Sequence, residues 1–266
     1  MLTAVMVPAG PVAWGRMLLA AGAALTCVEG AVQLSGLQDG RIRVPVSGGL
    51  LSPEALPAGP WLLVMATACL LLLLGAASRL CTATLAVGNV LLLLADQQLY
   101  SNHRLLLVLL CVWFLLARAD HARSLRALLR PARGGRDAEV PWWPQLLIVA
   151  TVSACYVFAG LSKLNPEFLS GDLVDSMSPD WVPAGLLAWA SVPTEVAIGA
   201  GIWWRATRRW VLGLGVLLHL SIIALLGAPL VFAAFALLCL SAYPSVWTWP
   251  RLPQDEAAAT QRSRVA

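Results

Sequence analysis

Trp61-Leu-Leu-Val-Met-Ala-Thr-Ala-Cys-Leu70-Leu-Leu-Leu-Leu74-Gly75-Ala-Ala-Ser78-Arg79-Leu80-Cys-Thr-Ala-Thr-Leu-Ala-Val-Gly-Asn-Val90-Leu-Leu-Leu-Leu94-Ala-Asp96 is two apolar runs divided by a single charged position. Each run is near the 18–20 residues that a helix needs to cross about 30 Å of hydrocarbon. The reading is therefore a tight helical hairpin, 60–78 and 80–98, turned at Ser78-Arg79. Similar runs at 13–36, 104–119, 144–163, 184–204, 210–227 and 229–246 raise the count to about eight, with Gly227-Ala-Pro229 breaking the last pair. Hydrophobic residues make up 59% of the chain and charged ones 12%. Soluble domains carry about 25% charged residues, so the composition predicts an all-α, polytopic membrane bundle whose main partner is the lipid bilayer.

The charges supply a second reading. There are seventeen arginines and one lysine, and the net charge is +4. The arginines gather in short loops rather than on a patch, which argues against nucleic acid and for a topology signal. Arg79; Arg118, Arg123, Arg126, Arg130, Arg133 and Arg136; Arg205, Arg208 and Arg209; and Arg251, Arg262 and Arg264 fall in alternate loops and the tail. The loop after Lys163 holds Glu167, Asp172, Asp175 and Asp180 and no arginine. Arg41 and Arg43 dissent. The positive-inside rule then predicts a cell-membrane protein with both termini cytoplasmic.

Residues 1–250 read as one transmembrane domain and 251–266 as a disordered cytoplasmic tail with little apolar content. The stretch 121–141 is a basic linker. Six cysteines stand singly with no zinc spacing, so they read as reduced, buried thiols and no metal is expected.

Ionisable groups inside apolar runs cost about 2.5–3.5 kcal/mol each on insertion scales and need a reason. Glu29, Asp96, Glu195 and His219 qualify, with Asn102, His103 and Lys163 at segment ends. One polar cavity opening outward would gather most of them. Each also has a plainer reading. Glu29 and Glu195 would serve as interhelical hydrogen-bond partners, Asp96 as a cap or a partner of Arg104, and Asn102 as the N-cap of the fourth helix. His219 would be a packing histidine. Lys163 would be an interfacial anchor whose stem snorkels to water; alternatively, as the one amine in the chain, it is a base that arginine cannot replace. Trp181, in the acidic loop, is placed to cover a ligand mouth.

Two segments resemble the membrane domain of the vitamin K-dependent γ-carboxylase and its relatives, the horizontally transferred transmembrane (HTTM) proteins. Asp96-Gln-Gln-Leu-Tyr-Ser-Asn102-His103 is similar to the family's Asp followed by an aromatic-Asn-Asn-His stretch. Tyr156-Val-Phe-Ala-Gly160-Leu-Ser-Lys163-Leu-Asn165-Pro-Glu-Phe-Leu-Ser-Gly171 is similar to its Tyr-Phe-x-Ala-Gly-x-x-Lys-Leu-(Asp/Asn) motif. Glu195 and His219 follow in the expected order, so the resemblance spans roughly residues 10–245. Two positions depart: Ser162-Lys163 stands for paired lysines, and Ser101 for one asparagine.

The resemblance implies Lys163 as a base toward a reduced quinone (vitamin K hydroquinone or menaquinol), with oxygen as oxidant. It further implies His103 and His219 as proton-handling or anion-stabilising groups, and Asp96, Asn102, Tyr156, Asn165 and Glu195 around the substrate. Such a protein would be a carboxylase- or epoxidase-like enzyme of a bacterial cell membrane. Two alternatives remain: an HTTM-type accessory for maturation or export of a small secreted peptide, and a non-catalytic DoxX-like bundle in which the polar residues are glue. The glue reading expects Glu195 to pair with His219.

Overall fold

The computed structural model describes residues 4–46, 51–129 and 138–250. The tail 251–266 and part of the basic linker lie outside these residues. The chain is helical almost throughout: α1 (Gly10–Gln38), α2 (Ala58–Leu74), α3 (Ser78–Ala95), α4 (Asn102–Leu116), the short α5 (Leu125–Leu129) and α6 (Trp142–Ser162). Two four-residue helices follow, α7 (Pro166–Leu169) and α8 (Asp172–Asp175), then α9 (Ala184–Gly201), α10 (Arg208–Leu225), α11 (Pro229–Leu240) and α12 (Tyr243–Trp247). Among the described residues, five helical stretches are long and apolar enough to cross a membrane: α1, α3, α6, α10 and Pro229–Trp247. α2 and α4 are apolar but shorter, and α9 is a continuous helix that carries Pro193 and Glu195 within it.

The helices close into a ring. α2 packs on α3, α3 on α4, α4 on α6, α6 on α9, α9 on α10, α10 on α11, and α11 on α1, which returns to α2. α1 and α4 also touch across the ring. Alternating chain direction sorts the connections to two ends. One end holds Arg79, Arg118, Arg123, Arg205, Arg208 and Arg209, and there β1 (Met6–Pro8) pairs antiparallel with β2 (Glu139–Pro141). The opposite end holds segments 39–46, 51–57, 96–101, 163–183 and 226–228.

The α2–α3 hairpin turns earlier than the charge pattern suggests. Gly75 adopts φ 71°, a left-handed cap that stops α2 and returns amides to Leu71 and Leu72. Ala77 also has positive φ, so Ser78 and Arg79 open α3 instead of forming the turn. Beside this turn Arg16, fully buried in α1, donates through Nη2 to the Arg123 carbonyl at 2.7 Å and to that of Leu73 at 3.4 Å. It thereby satisfies carbonyls left open at a helix end and in a loop.

The opposite end of α3 is shorter than read from the sequence. The helix stops at Ala95, and Asp96 is extended, with φ −153°. Its carboxylate accepts from the amides of Val44 and Gln98, both at 2.8 Å, and so ties the loop after α1 to the turn before α4. Asp96 is thus a loop fastener, pairing with no arginine side chain among the described residues. The N-cap of α4 is Ser101, whose hydroxyl accepts from Arg104 N at 3.3 Å; Asn102 is one residue too late for the cap.

α6 and α9 approach closely because small residues face each other. A side chain on Gly199 would meet the Ser153 carbonyl, and one on Gly160 would meet that of Val192. Ser153 Oγ donates to the Gly199 carbonyl at 2.7 Å. This contact sets the distance between the two helices that carry Lys163 and Glu195.

Candidate functional site

Lys163 is the C-cap of α6, one residue past Ser162, where its own amide still bonds to Gly160. Its ammonium donates to Glu195 Oε1 of α9 at 2.6 Å and lies 5.3 Å from the centre of the Phe168 ring in α7. The lysine side chain is 24% exposed and that of Glu195 7%. Glu195 Oε2 is buried and has no hydrogen-bond partner among the described residues. Asn165 fixes the chain just beyond the lysine: its Oδ1 accepts from Phe168 N at 2.9 Å and its Nδ2 donates to Ser162 O at 2.8 Å. Phe168 also packs into a small apolar cluster with Val174, Ala184, Ala188, Leu187 and Leu226, which seats the acidic loop on the bundle. Trp181, in that loop, is 75% exposed.

One α6 face carries a second group. Tyr156, two turns before Lys163, shares its hydroxyl with His219 Nε2 of α10 at 2.7 Å and with the Tyr243 hydroxyl of α12 at 2.9 Å. Phe235 stacks edge-on against the imidazole. His219 therefore pairs with tyrosine, and Glu195 with lysine, so the expected Glu195–His219 contact does not form.

A third group occupies the α1–α4 contact. Glu29 meets His103 Nε2 in an ion-pair geometry, and Ser101 Oγ lies 3.2 Å from the same nitrogen. Gln33, one turn on from Glu29, donates to Glu29 Oε1 at 2.8 Å, and its own carbonyl accepts from Arg104 Nη2 at 3.0 Å. Arg104 is fully buried, and its Nε and Nη1 have no partner among the described residues. Asn102, beside this group, accepts from the Tyr100 hydroxyl at 3.0 Å and is exposed. The third histidine, His121, lies in the loop at the arginine-rich end. Partial burial lowers its imidazole from the ordinary value, opposed by Asp120 and reinforced by Arg126, Arg118 and Arg79.

His103 and Lys163 thus belong to different hydrogen-bonded groups, though at one level of the bundle. Trp113 of α4 donates to Thr151 of α6 at 2.9 Å. From that contact His103 lies ten residues back and Lys163 twelve residues on, about 15 Å and about 18 Å toward the same end at 1.5 Å per residue. Ten residues also turn His103 about 80° around α4 from Trp113, onto the face that meets α1.

Sequence reasoning missed Gln33, Arg104 as a donor to it, and Tyr243. Gln33 was legible as the i+4 neighbour of Glu29. Tyr243 had no sequence signal, because a tyrosine after the last apolar run reads as an interface residue.

Buried carboxylates matched to a lysine and a histidine within a ring of apolar helices define a multi-pass helical membrane protein with a polar interior at one end. The HTTM domain family matches residues 58–244. The chain belongs to that family, and is related through it to the membrane domain of the vitamin K-dependent γ-carboxylase. No solved structure matches it.

Proposed function

We propose that the protein is a quinol- and oxygen-dependent membrane enzyme whose base is Lys163 acting with Glu195. The basic end faces the cytoplasm in this reading, which puts Lys163 at the outer surface of the cell membrane. The observation that carries it is the 2.6 Å Lys163–Glu195 contact beside an unpartnered Glu195 Oε2.

An amine acts as a base only when neutral. Here the ammonium proton has a destination within one hydrogen bond, and its transfer to Glu195 Oε1 leaves a neutral amine and a neutral acid. An arginine at this position could not make the transfer, since guanidinium keeps its proton. Lys163 remains open enough to meet a ring lying at headgroup depth, and the Phe168 face walls that position. A reduced quinone supplies an acidic hydroxyl and two electrons, and dioxygen takes the electrons. Glu195 Oε2, a buried acceptor without a donor, fits a hydroxyl of that kind. His103, paired with Glu29, lies at the same level of the bundle.

The test is turnover of menaquinol and vitamin K hydroquinone by the protein in lipid nanodiscs, from anaerobic to aerobic conditions, with epoxide detected by mass spectrometry. Wild type should form epoxide, and Lys163→Arg should lose about 100-fold or more, the usual worth of a positioned base. Folded wild type without epoxide, or an arginine variant as active as wild type, would overturn the reading. Weight would then pass to an accessory acting on a small secreted peptide.

A further inference from the structure

We propose that Tyr156 is a redox-active tyrosine, giving one electron to an oxygen-derived radical formed at the Lys163–Glu195 pair while its phenolic proton passes to His219. The oxidant rests on the quinol reading above; the tyrosine's own chemistry needs neither quinol nor oxygen. Groups from three helices converge on its hydroxyl. It lies 2.7 Å from His219 Nε2 of α10 and 2.9 Å from the Tyr243 hydroxyl of α12. All three side chains are buried. Gly215, one turn before His219, makes the convergence possible. A side chain there would collide with the Tyr243 hydroxyl and come within 3.5 Å of that of Tyr156. Glycine inside a helix weakens it, so α10 gives up stability to hold this space. Lys163 follows Tyr156 by about two turns, so both project from one face of α6, about 10 Å apart along its axis.

A phenol in a water-poor interior loses an electron only when its proton has a destination. The phenol radical cation is a strong acid, and an unpaired buried charge is costly. His219 Nε2 is that destination, close enough that neither helix has to move. The Tyr243 hydroxyl, as donor, then holds the phenoxyl oxygen that remains. Triplet dioxygen takes electrons singly, so quinol oxidation passes through superoxide. Lys163, protonated by the quinol, hands that proton to superoxide and yields a hydroperoxyl radical. Tyr156 reduces this radical by one electron to the hydroperoxide anion. The Glu195 carboxyl, which holds the proton first lost by Lys163, supplies the second proton, and hydrogen peroxide leaves. A phenoxyl at Tyr156, an imidazolium at His219 and a carboxylate at Glu195 remain, so electrons and charge balance. The tyrosine thereby removes a radical that would otherwise attack the base and its Phe168 wall.

Flash photo-oxidation of the protein in nanodiscs, with a ruthenium polypyridyl sensitiser and freeze-quench electron paramagnetic resonance, reads the tyrosine directly. The chain has three tyrosines, Tyr100, Tyr156 and Tyr243, and ring-deuterated tyrosine separates their signal from that of the twelve tryptophans. A tyrosyl signal should form in wild type, Tyr100→Phe and Tyr243→Phe and be lost in Tyr156→Phe, a near-isosteric change whose fold is checked by thermal unfolding. His219→Leu should slow its formation about 100-fold, the usual worth of a positioned base. A purely structural histidine would lower the melting temperature and leave that rate alone. No tyrosyl signal in folded wild type, a signal that survives Tyr156→Phe, or a rate unchanged in His219→Leu overturns the proposal. The two readings fail separately. The photo-generated radical without epoxide from quinol sinks the quinol reading and keeps the tyrosine assignment; epoxide without the radical does the reverse.

Discussion

The α1–α4 side and the α6–α9 side solve the same problem in opposite ways. Both set a carboxylate and a cation among apolar helices. At α6–α9 the two charges meet directly at 2.6 Å, the cation is partly exposed, and the deficit falls on the carboxylate. At α1–α4 the carboxylate is fully engaged by His103 and Gln33, and the deficit falls on Arg104. One side therefore offers an acceptor for a donor hydroxyl, and the other offers donors for an acceptor. A ring of helices with these two deficits at one depth presents two kinds of polar chemistry to two faces of the bundle.

Lys163→Ala should have the largest effect, because it ends turnover and strands Glu195. Its stability cost should lie between the ~1 kcal/mol of an exposed pair and the ~3–5 kcal/mol of a buried one, read from thermal unfolding in nanodiscs. A variant that melts like wild type would mean Glu195 finds another partner. Glu29→Gln comes next: it puts a neutral amide in place of the carboxylate that His103 and Gln33 both contact, at a cost of about 1–3 kcal/mol. Tyr156→Phe removes the hydroxyl that His219 and Tyr243 both use. About 1–2 kcal/mol is expected from the orphaned groups, whereas Tyr243→Phe leaves the Tyr156–His219 bond and should cost less. The sharpest test of the comparison is the smallest number. If the two sides are independent, Glu29→Gln and Lys163→Arg add within about 0.5 kcal/mol. A larger coupling would show one site rather than two.

Much of the fold was legible in the sequence because hydrocarbon length and apolar composition leave few alternatives to a spanning helix. The boundaries were less legible. The turn between α2 and α3 was assigned to Ser78-Arg79, where charge marks it, but it is set by the left-handed backbone of Gly75 and Ala77. Asp96 read as an intramembrane charge only because Leu91–Ala95 run up to it; the extended backbone at 96 turns its carboxylate onto loop amides. Lys163, Glu195 and His219 were singled out by cost alone, since an ionisable group in an apolar run needs a partner. Which partner each takes was not written there.

The sequence by itself determined a polytopic helical membrane protein, its family, its odd lysine and the short roster of residues too polar for their surroundings. Composition and local motif carry that information, because the bilayer penalises each residue independently of its neighbours. Only the tertiary structure decided that Lys163 meets Glu195, that His219 meets Tyr156, that Glu29 meets His103, and that Arg104 is left short. Those pairings join helices separated by 32 to 74 residues in the chain. They depend on helix rotation and on close approaches such as Gly199 on Ser153, which no single segment can specify.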